Sequence, residues 1–73
     1  MERQILIDHL ALAEKHVAQG EQHLARQRKV LETLARDGHD TATAADLLRT
    51  LEATQALHRA ERDRLRAELR ATK

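Results

Sequence analysis

The sequence has 73 residues and a formal net charge of +1, from 13 Lys and Arg against 12 Asp and Glu, so it forms one small domain without an overall attraction to nucleic acid or membranes. It contains no cysteine, which excludes disulfides, thiolate catalysis, thiolate metal sites and covalent attachment of haem. Proline and aromatic residues are also absent, while Ala, Leu, Glu, Gln, Arg and Lys dominate, and this composition is typical of long helices.

The first predicted element is a helix from about Arg3 to Asp37. When its residues are placed 100° apart, the apolar side chains occupy an arc of roughly 160°. They are Ile5, Leu6, Leu10, Leu12, Ala13, Val17, Leu24, Val30, Leu31 and Leu34. An arc this wide indicates contact with two neighbouring helices, because a two-helix seam needs fewer positions. Gly20 interrupts the helix and indicates a kink, a close backbone approach by another helix, or a simply tolerated glycine.

A hairpin turn is predicted at about residues 38–41, within the sequence DGHDT. Gly38 suits the left-handed position after a helix end, and Asp40 or Thr41 can cap the next helix. A second helix is predicted from about Ala42 to Ala71. Its apolar stripe is narrower, with His58 at the centre and Leu47, Leu48, Leu51, Leu65 and Leu69 along it. The expected fold is therefore all-α: residues 1–73 form a single antiparallel two-helix hairpin.

A hairpin alone would leave part of the apolar arc in water, and 73 residues is below the size at which one core is comfortably stable. We therefore expect a homodimer, in which two hairpins form an antiparallel four-helix bundle with a two-fold interface. Leucine layers are expected at both ends: Leu31 and Leu34 against Leu47, Leu48 and Leu51 at the turn, and Leu6 and Leu10 against Leu65 and Leu69 at the open end. An adaptor that docks helices of another protein would present the same arc.

Three histidines recur at heptad spacing on the apolar face: His9, His16 and His23. Val30 continues their row. If the numbers of facing residues sum to roughly 80, His23 lies near Leu57 and His58, and His16 lies near Arg64 and Leu65. The middle of the bundle is then a polar layer that fixes register and oligomeric state. Its predicted members are His9, His16, His23, Gln27, Gln55, His58 and Arg62. Joint protonation of buried imidazoles opposes their burial, so we expect the dimer to loosen below about pH 6.

A divalent-metal site is the alternative function of this layer. His58 and Glu61 lie one turn apart and could chelate an ion together, and His23 from the facing helix could complete a three-ligand site with an open position. Such ligands suit zinc and several other divalent ions. The sequence lacks the Glu-x-x-His pattern of dimetal carboxylate bundles, and it has no aromatic side chain to line a pocket for non-covalent haem. We therefore expect no cofactor, with zinc or a similar ion as the alternative.

Nucleic-acid binding is a less favoured alternative, suggested by the arginines near the end of the second helix. With Lys73, they form a first basic group of Arg59, Arg62, Arg64, Arg66, Arg70 and Lys73, and Arg26, Arg28 and Lys29 form a second group. Glu61, Asp63 and Glu68 interleave with the first group, which is typical of a solvated face with intrahelical ion pairs. There is no aromatic residue to stack on bases, and no Trp or Phe to anchor a helix on a membrane. We expect neither a membrane partner nor a nucleic-acid partner.

Enzymatic activity is not expected, and no catalytic residue is assigned. A slim bundle without serine, cysteine or glycine-rich loops offers few concave pockets in which reacting groups could converge. No apolar run approaches the roughly 18 residues of a membrane span, and Glu2, Asp8 and Glu14 stand where a signal peptide would be apolar. We therefore expect a cytoplasmic protein.

Two long stretches, residues 9–41 (HLALAEKHVAQGEQHLARQRKVLETLARDGHDT) and residues 51–65 (LEATQALHRAERDRL), resemble a group of short bacterial helical-hairpin proteins of unknown function. The matching features are the histidine row, the turn at residues 37–41 and the segment Ala56-Leu57-His58. The resemblance covers nearly the whole chain. It implies the hairpin fold and histidines shared across the group, and it implies no activity.

Overall fold

The computed structural model describes residues 2–72, which form two helices and, within that range, no strand. Helix α1 spans Arg3–Arg36 and helix α2 spans Ala42–Ala71. They lie antiparallel, since Glu14 contacts Arg66 towards the open end and Gln27 contacts Ala44 near the turn. The predicted all-α hairpin is confirmed, as a rod of 56 × 14 × 13 Å. Across residues 2–72, neither helix contains a stretch long and apolar enough to cross a membrane.

The turn follows from backbone hydrogen bonds at the end of α1. Gly38 has a φ of +76°, the left-handed region that glycine enters without steric penalty. Its N–H donates to the carbonyl of Ala35, and the N–H of His39 donates to the carbonyl of Leu34, at 3.2 and 2.9 Å. These two bonds are the Schellman pattern, which satisfies carbonyls that the helix end would leave unpaired. Thr41 occupies the N-cap position of α2 without a side-chain capping bond, and Asp40, one residue earlier, supplies the hydrogen bond instead: its Oδ1 accepts the N–H of Ala42 at 2.9 Å.

A heptad seam joins the two helices. Its residues alternate at spacings of four and three, and all of them are buried or half-buried. On α1 they are Leu6, Leu10, Ala13, Val17, Gly20, Leu24, Gln27, Leu31 and Leu34. On α2 they are Ala44, Leu48, Leu51, Gln55, His58, Arg62, Leu65 and Leu69, and the C-cap residue Thr72 continues the pattern. This spacing keeps one narrow stripe of each helix facing the other. The seam is narrower than the predicted apolar arc, so part of that arc remains in solvent.

The best-packed part of the seam lies at the open end. Leu6, Ala13 and Leu65 form a buried cluster, with Leu10 and Leu69 packed against it. The predicted leucine layer at the turn is only partly present: Leu31, Leu34, Leu48 and Leu51 are half-buried, whereas Leu47 is exposed. Leu47 precedes the seam residue Leu48 and therefore lies on the flank of the seam, which is why the hairpin leaves it uncovered.

Candidate functional site

A buried glutamine lies at the centre of the seam. Gln55 is 1% exposed, and its Nε2 donates to the carbonyl of Val17 and to Glu21 Oε1, both at 2.9 Å. A Cβ added to Gly20 would lie 2.6 Å from Gln55 Cδ and closer still to its Oε1. All three nearest atoms belong to the Gln55 side chain, so Gly20 makes room for this side chain and not for the predicted close approach of another helix's backbone. Within residues 2–72, Gln55 Oε1 is buried without a hydrogen-bond partner.

The seam has two different flanks. One, here called the ion-paired face, carries interhelical ion pairs of Glu21 with Arg59 and of Glu14 with Arg66, the latter at 3.2 Å. The opposite flank, here called the histidine face, consists of residues that line up at heptad spacing beside the seam. They are His9, His16, His23 and Val30 on α1, and Leu47, Thr54 and Glu61 on α2. The two flanks therefore differ in chemistry: interhelical charge pairs close one, whereas imidazole and aliphatic groups border the other, where Glu61 pairs with Arg64 of its own helix.

Three grooves open on the histidine face. The first has a volume of about 90 Å³ and contains the side chains of His16, His23 and His58, with Gln19 and Thr54 beside them. The second, of about 250 Å³, is lined by residues that include His9, Leu12, His16 and Glu61. The third, of about 370 Å³, lies beside Val30 and Leu34. Gln19 and Thr54 were not predicted for this site. Their position beside the seam identifies them, but that position can be assigned only after the buried residues show which heptad positions form the seam.

The same face carries most of the large apolar side chains left in solvent. Among residues 2–72 there are six such side chains: Ile5, Ile7, Leu12, Val30, Leu47 and Leu57. All except Ile7 lie on or next to the histidine face. Val30 and Leu47 belong to it, Ile5 and Leu12 lie one turn from His9, and Leu57 lies one turn from Glu61. Ile5, Leu12 and Val30 are thus the portion of the predicted 160° arc of α1 that the hairpin does not cover.

The predicted polar layer divides into two groups. Gln27, Gln55, His58 and Arg62 occupy seam positions, and Gln27 Nε2 donates to the carbonyl of Ala44 at 2.9 Å. The row of His9, His16 and His23 lies beside the seam, with His16 half-buried and the other two exposed. Within one hairpin the polar layer is therefore made by glutamine, arginine and one histidine, and the row of three histidines faces outward along its edge.

His16 shares the second groove with Leu65, as the sequence predicted, but its ring faces that of His58 and not Arg64. Its ring centroid lies 5.1 Å from that of His58, with 47° between the planes. The predicted sum of roughly 80 fits the ion-paired face, where Glu21 pairs with Arg59, but on the histidine face His9 shares a groove with Glu61. One sum of the numbers of facing residues cannot describe both flanks, because residues on the two flanks of a helix also differ in their position along its axis.

The predicted metal set of His23, His58 and Glu61 is not assembled in one chain. His58 and His23 share the first groove, but Glu61 lies in the second groove and accepts a hydrogen bond from Arg64 Nε at 3.1 Å. Across residues 2–72, no three His, Asp or Glu side chains are placed to hold one ion. Any closed metal site on this face therefore needs ligands from outside the single hairpin.

Most of the arginines of α2 are engaged in ion pairs. Besides the two interhelical pairs, Arg62 contacts Asp63, and Arg64 contacts Glu61 and Glu68. The hydrogen bond from Arg64 lowers the pKa of Glu61, and the same bond raises the pKa of Arg64. The hydrogen bond from Arg59, followed by that from Gln55, lowers the pKa of Glu21. Glu21 thus links a surface ion pair to the buried amide at the centre of the seam.

Replacing Glu21 with glutamine should make the hairpin less sensitive to acid. Because folding lowers the pKa of Glu21, this carboxylate stabilises the hairpin above its ordinary pKa of 4.5, and the contribution is lost as pH falls through the folded-state value. Urea midpoints measured between pH 7 and pH 3 should therefore fall less in Glu21→Gln than in the wild type. Glu32→Gln, an exposed carboxylate on α1, is the control. Equal acid sensitivity in Glu21→Gln and the wild type would contradict this linkage.

Comparison with known proteins adds no family to these observations. No protein-family model, no curated protein and no solved structure matches the chain. The hairpin implied by the resemblance to short bacterial proteins is present in the structure. The contacts of the chain itself therefore carry the functional interpretation.

Proposed function

We propose that this chain is a self-associating helical module, in which the histidine face of one hairpin packs on the histidine face of a second copy to form a four-helix bundle. The observation that carries the proposal is the segregation of the flanks. Exposed aliphatic side chains collect on the histidine face, while interhelical ion pairs occupy the other. Exposed apolar side chains gathered on one face are typical of protein interfaces.

The size of this face matches one side of a stable interface. A face of 56 by 14 Å projects roughly 800 Å², and specific interfaces bury about 800 Å² per partner. The apolar side chains are spread along that length. Ile5 lies at the open end, Leu12 and Leu57 lie in between, and Val30 and Leu47 lie towards the turn. Contact therefore extends over the whole rod, as in a bundle, and is not confined to one end.

An antiparallel two-fold dimer uses these side chains best. The two-fold axis then runs perpendicular to the long axis of the rod, so the open end of one hairpin packs against the turn end of the other. Ile5 of one copy meets Val30 and Leu47 of its partner, and the same contact repeats on the other side of the axis. Leu57, 72% exposed, lies close to the axis and packs against its own symmetry mate. A second copy of the chain thus covers both ends of the apolar face with one arrangement.

Placing a lysine at Leu12 should dissociate the dimer. Leu12 is 52% exposed on the histidine face, and burying a charge there is unfavourable without a partner. Ile7→Lys is the matched control, because Ile7 is 37% exposed on the ion-paired face of the same helix. Sedimentation equilibrium should show the dimer dissociation constant raised at least about tenfold by Leu12→Lys and little changed by Ile7→Lys.

Two outcomes would overturn the proposal. The first is a wild-type chain that stays monomeric at high micromolar concentration, which would favour an adaptor that docks helices of another protein. The second is an equal effect of the two lysine variants. Repeating the measurement at pH 5.5 tests the predicted loosening of the dimer in acid.

A further inference from the structure

We propose that His16 and His58 of two hairpins together bind one zinc-class divalent ion at the two-fold axis of the dimer. This inference rests on the proposed self-association. It differs from the metal set expected from sequence, because it replaces His23 and Glu61 with His16 and with the same pair of histidines from a second copy. The ligand set is four imidazoles, two from each chain.

The distance between the two rings in one hairpin matches the spacing within half of such a site. The two rings come from facing helices, and their centroids are 5.1 Å apart. Two imidazoles bound to one tetrahedral ion, with metal–nitrogen bonds of about 2.0 Å, have centroids about 5 Å apart. Both side chains are half-buried in the first groove. Within residues 2–72 no side chain forms a hydrogen bond with either ring, so the ring nitrogens are available to a ligand.

One chain cannot complete the coordination. Structural zinc sites use four protein ligands, and no three His, Asp or Glu side chains converge within residues 2–72. His23 lies seven residues beyond His16, which is about 10.5 Å along the helix, so these two cannot share an ion. Glu61 is held by Arg64 in the neighbouring groove. The remaining two ligands must therefore come from another molecule.

The apolar contacts of the dimer bring a second pair of histidines to this point. If Ile5 packs against the partner's Val30, the axis crosses α1 midway between them, between Val17 and Ala18. This crossing point is within two residues of His16 along α1, and His58 faces His16 across the seam. Residues that lie beside a two-fold axis contact the same residues of the partner chain. The two His16 and His58 pairs therefore converge at the axis.

The donor set selects the kind of ion. Neutral imidazoles suit zinc, cobalt, nickel and copper, whereas calcium and magnesium require oxygen ligands. Four neutral ligands also leave the charge of the ion uncompensated, so the site favours ions that bind nitrogen strongly. Tetrahedral coordination, with which the distance between the rings agrees, is typical of zinc, so we commit to zinc as the resident ion and use cobalt as its spectroscopic substitute.

The test is a cobalt and zinc titration of the full chain after removal of metal with EDTA. We expect one ion per two chains by native mass spectrometry, and the visible absorption bands of tetrahedral cobalt. His16→Gln and His58→Gln should each weaken binding at least about tenfold, because each removes two of the four ligands. His39→Gln, which alters the exposed histidine of the turn, should bind as the wild type does. The cobalt spectrum of the wild type tests the site even if a variant fails to fold.

The outcomes separate this inference from the proposed function. An apo dimer that binds no stoichiometric ion overturns the metal site and leaves the self-association in place. A chain that is monomeric with and without zinc overturns both. One ion per single chain, or unchanged binding in His16→Gln, overturns the shared site. A chain that dimerises more tightly with zinc, with one ion per dimer, supports both proposals.

Discussion

Replacing Leu65 with alanine should lower the free energy of unfolding by about 2–5 kcal/mol, which is the usual cost of removing a fully buried leucine side chain. Leu65 is 1% exposed and packs in the cluster with Leu6 and Ala13. A helical domain of this size has a free energy of unfolding of only a few kcal/mol. The variant is therefore expected to be largely unfolded at room temperature, as judged by circular dichroism at 222 nm during urea denaturation.

Leu57→Ala is the control for this prediction, because it makes the same chemical change at a side chain that is 72% exposed. Both variants should be measured over a range of protein concentrations. The effect of Leu65→Ala arises inside one hairpin and should be present at every concentration. The effect of Leu57→Ala should be small in dilute solution and grow as the dimer forms, because apparent stability then depends on association. Two equal losses at low concentration would contradict the position of the core.

The second large effect is a coupling between Gly20 and Gln55. Alanine is favoured over glycine by about 1 kcal/mol inside a helix, so Gly20→Ala would ordinarily stabilise α1. Here the new Cβ would displace the Gln55 side chain and break the two hydrogen bonds of its amide, each worth about 0.5–1.5 kcal/mol. We therefore expect Gly20→Ala to be neutral or destabilising in the wild type and to stabilise by about 1 kcal/mol in Gln55→Ala.

A double-mutant cycle measures this coupling directly. The four proteins are the wild type, Gly20→Ala, Gln55→Ala and the double variant, each unfolded in urea at one concentration. The expected interaction free energy is about 1–3 kcal/mol. A stabilisation of the same size in both backgrounds would show that Gln55 does not pack on Gly20 and that the glycine is simply tolerated.

Local features of the fold were predictable because their causes are local. The absence of proline and aromatics and the dominance of good helix formers predict two long helices, and Gly38 with Asp40 predicts the turn. The Schellman bonds around Gly38 and the cap at Asp40 involve residues within a few positions of one another. Such contacts depend on residue type and spacing, which the sequence contains in full.

The position of the histidine row depended on information that the sequence does not contain. An apolar arc of roughly 160° shows that a helix has more apolar surface than one partner covers, but it does not show which part faces that partner. Packing put Leu6, Val17 and Leu24 in the seam and left Ile5, Leu12 and Val30 beside the histidines. The row was therefore recognisable as a feature of the apolar face, while its exposed position on one flank was not.

The sequence by itself determined the helical class, the hairpin turn, and an apolar surface larger than one hairpin can bury. Only the tertiary structure decided which residues face one another: Gln55 against Gly20, His16 against His58, and Glu21 with Arg59. The physical reason is that helix propensity and capping act over a few residues of one chain segment. The rotation and register of two helices are fixed by the side chains that interlock between them, which are distant in sequence.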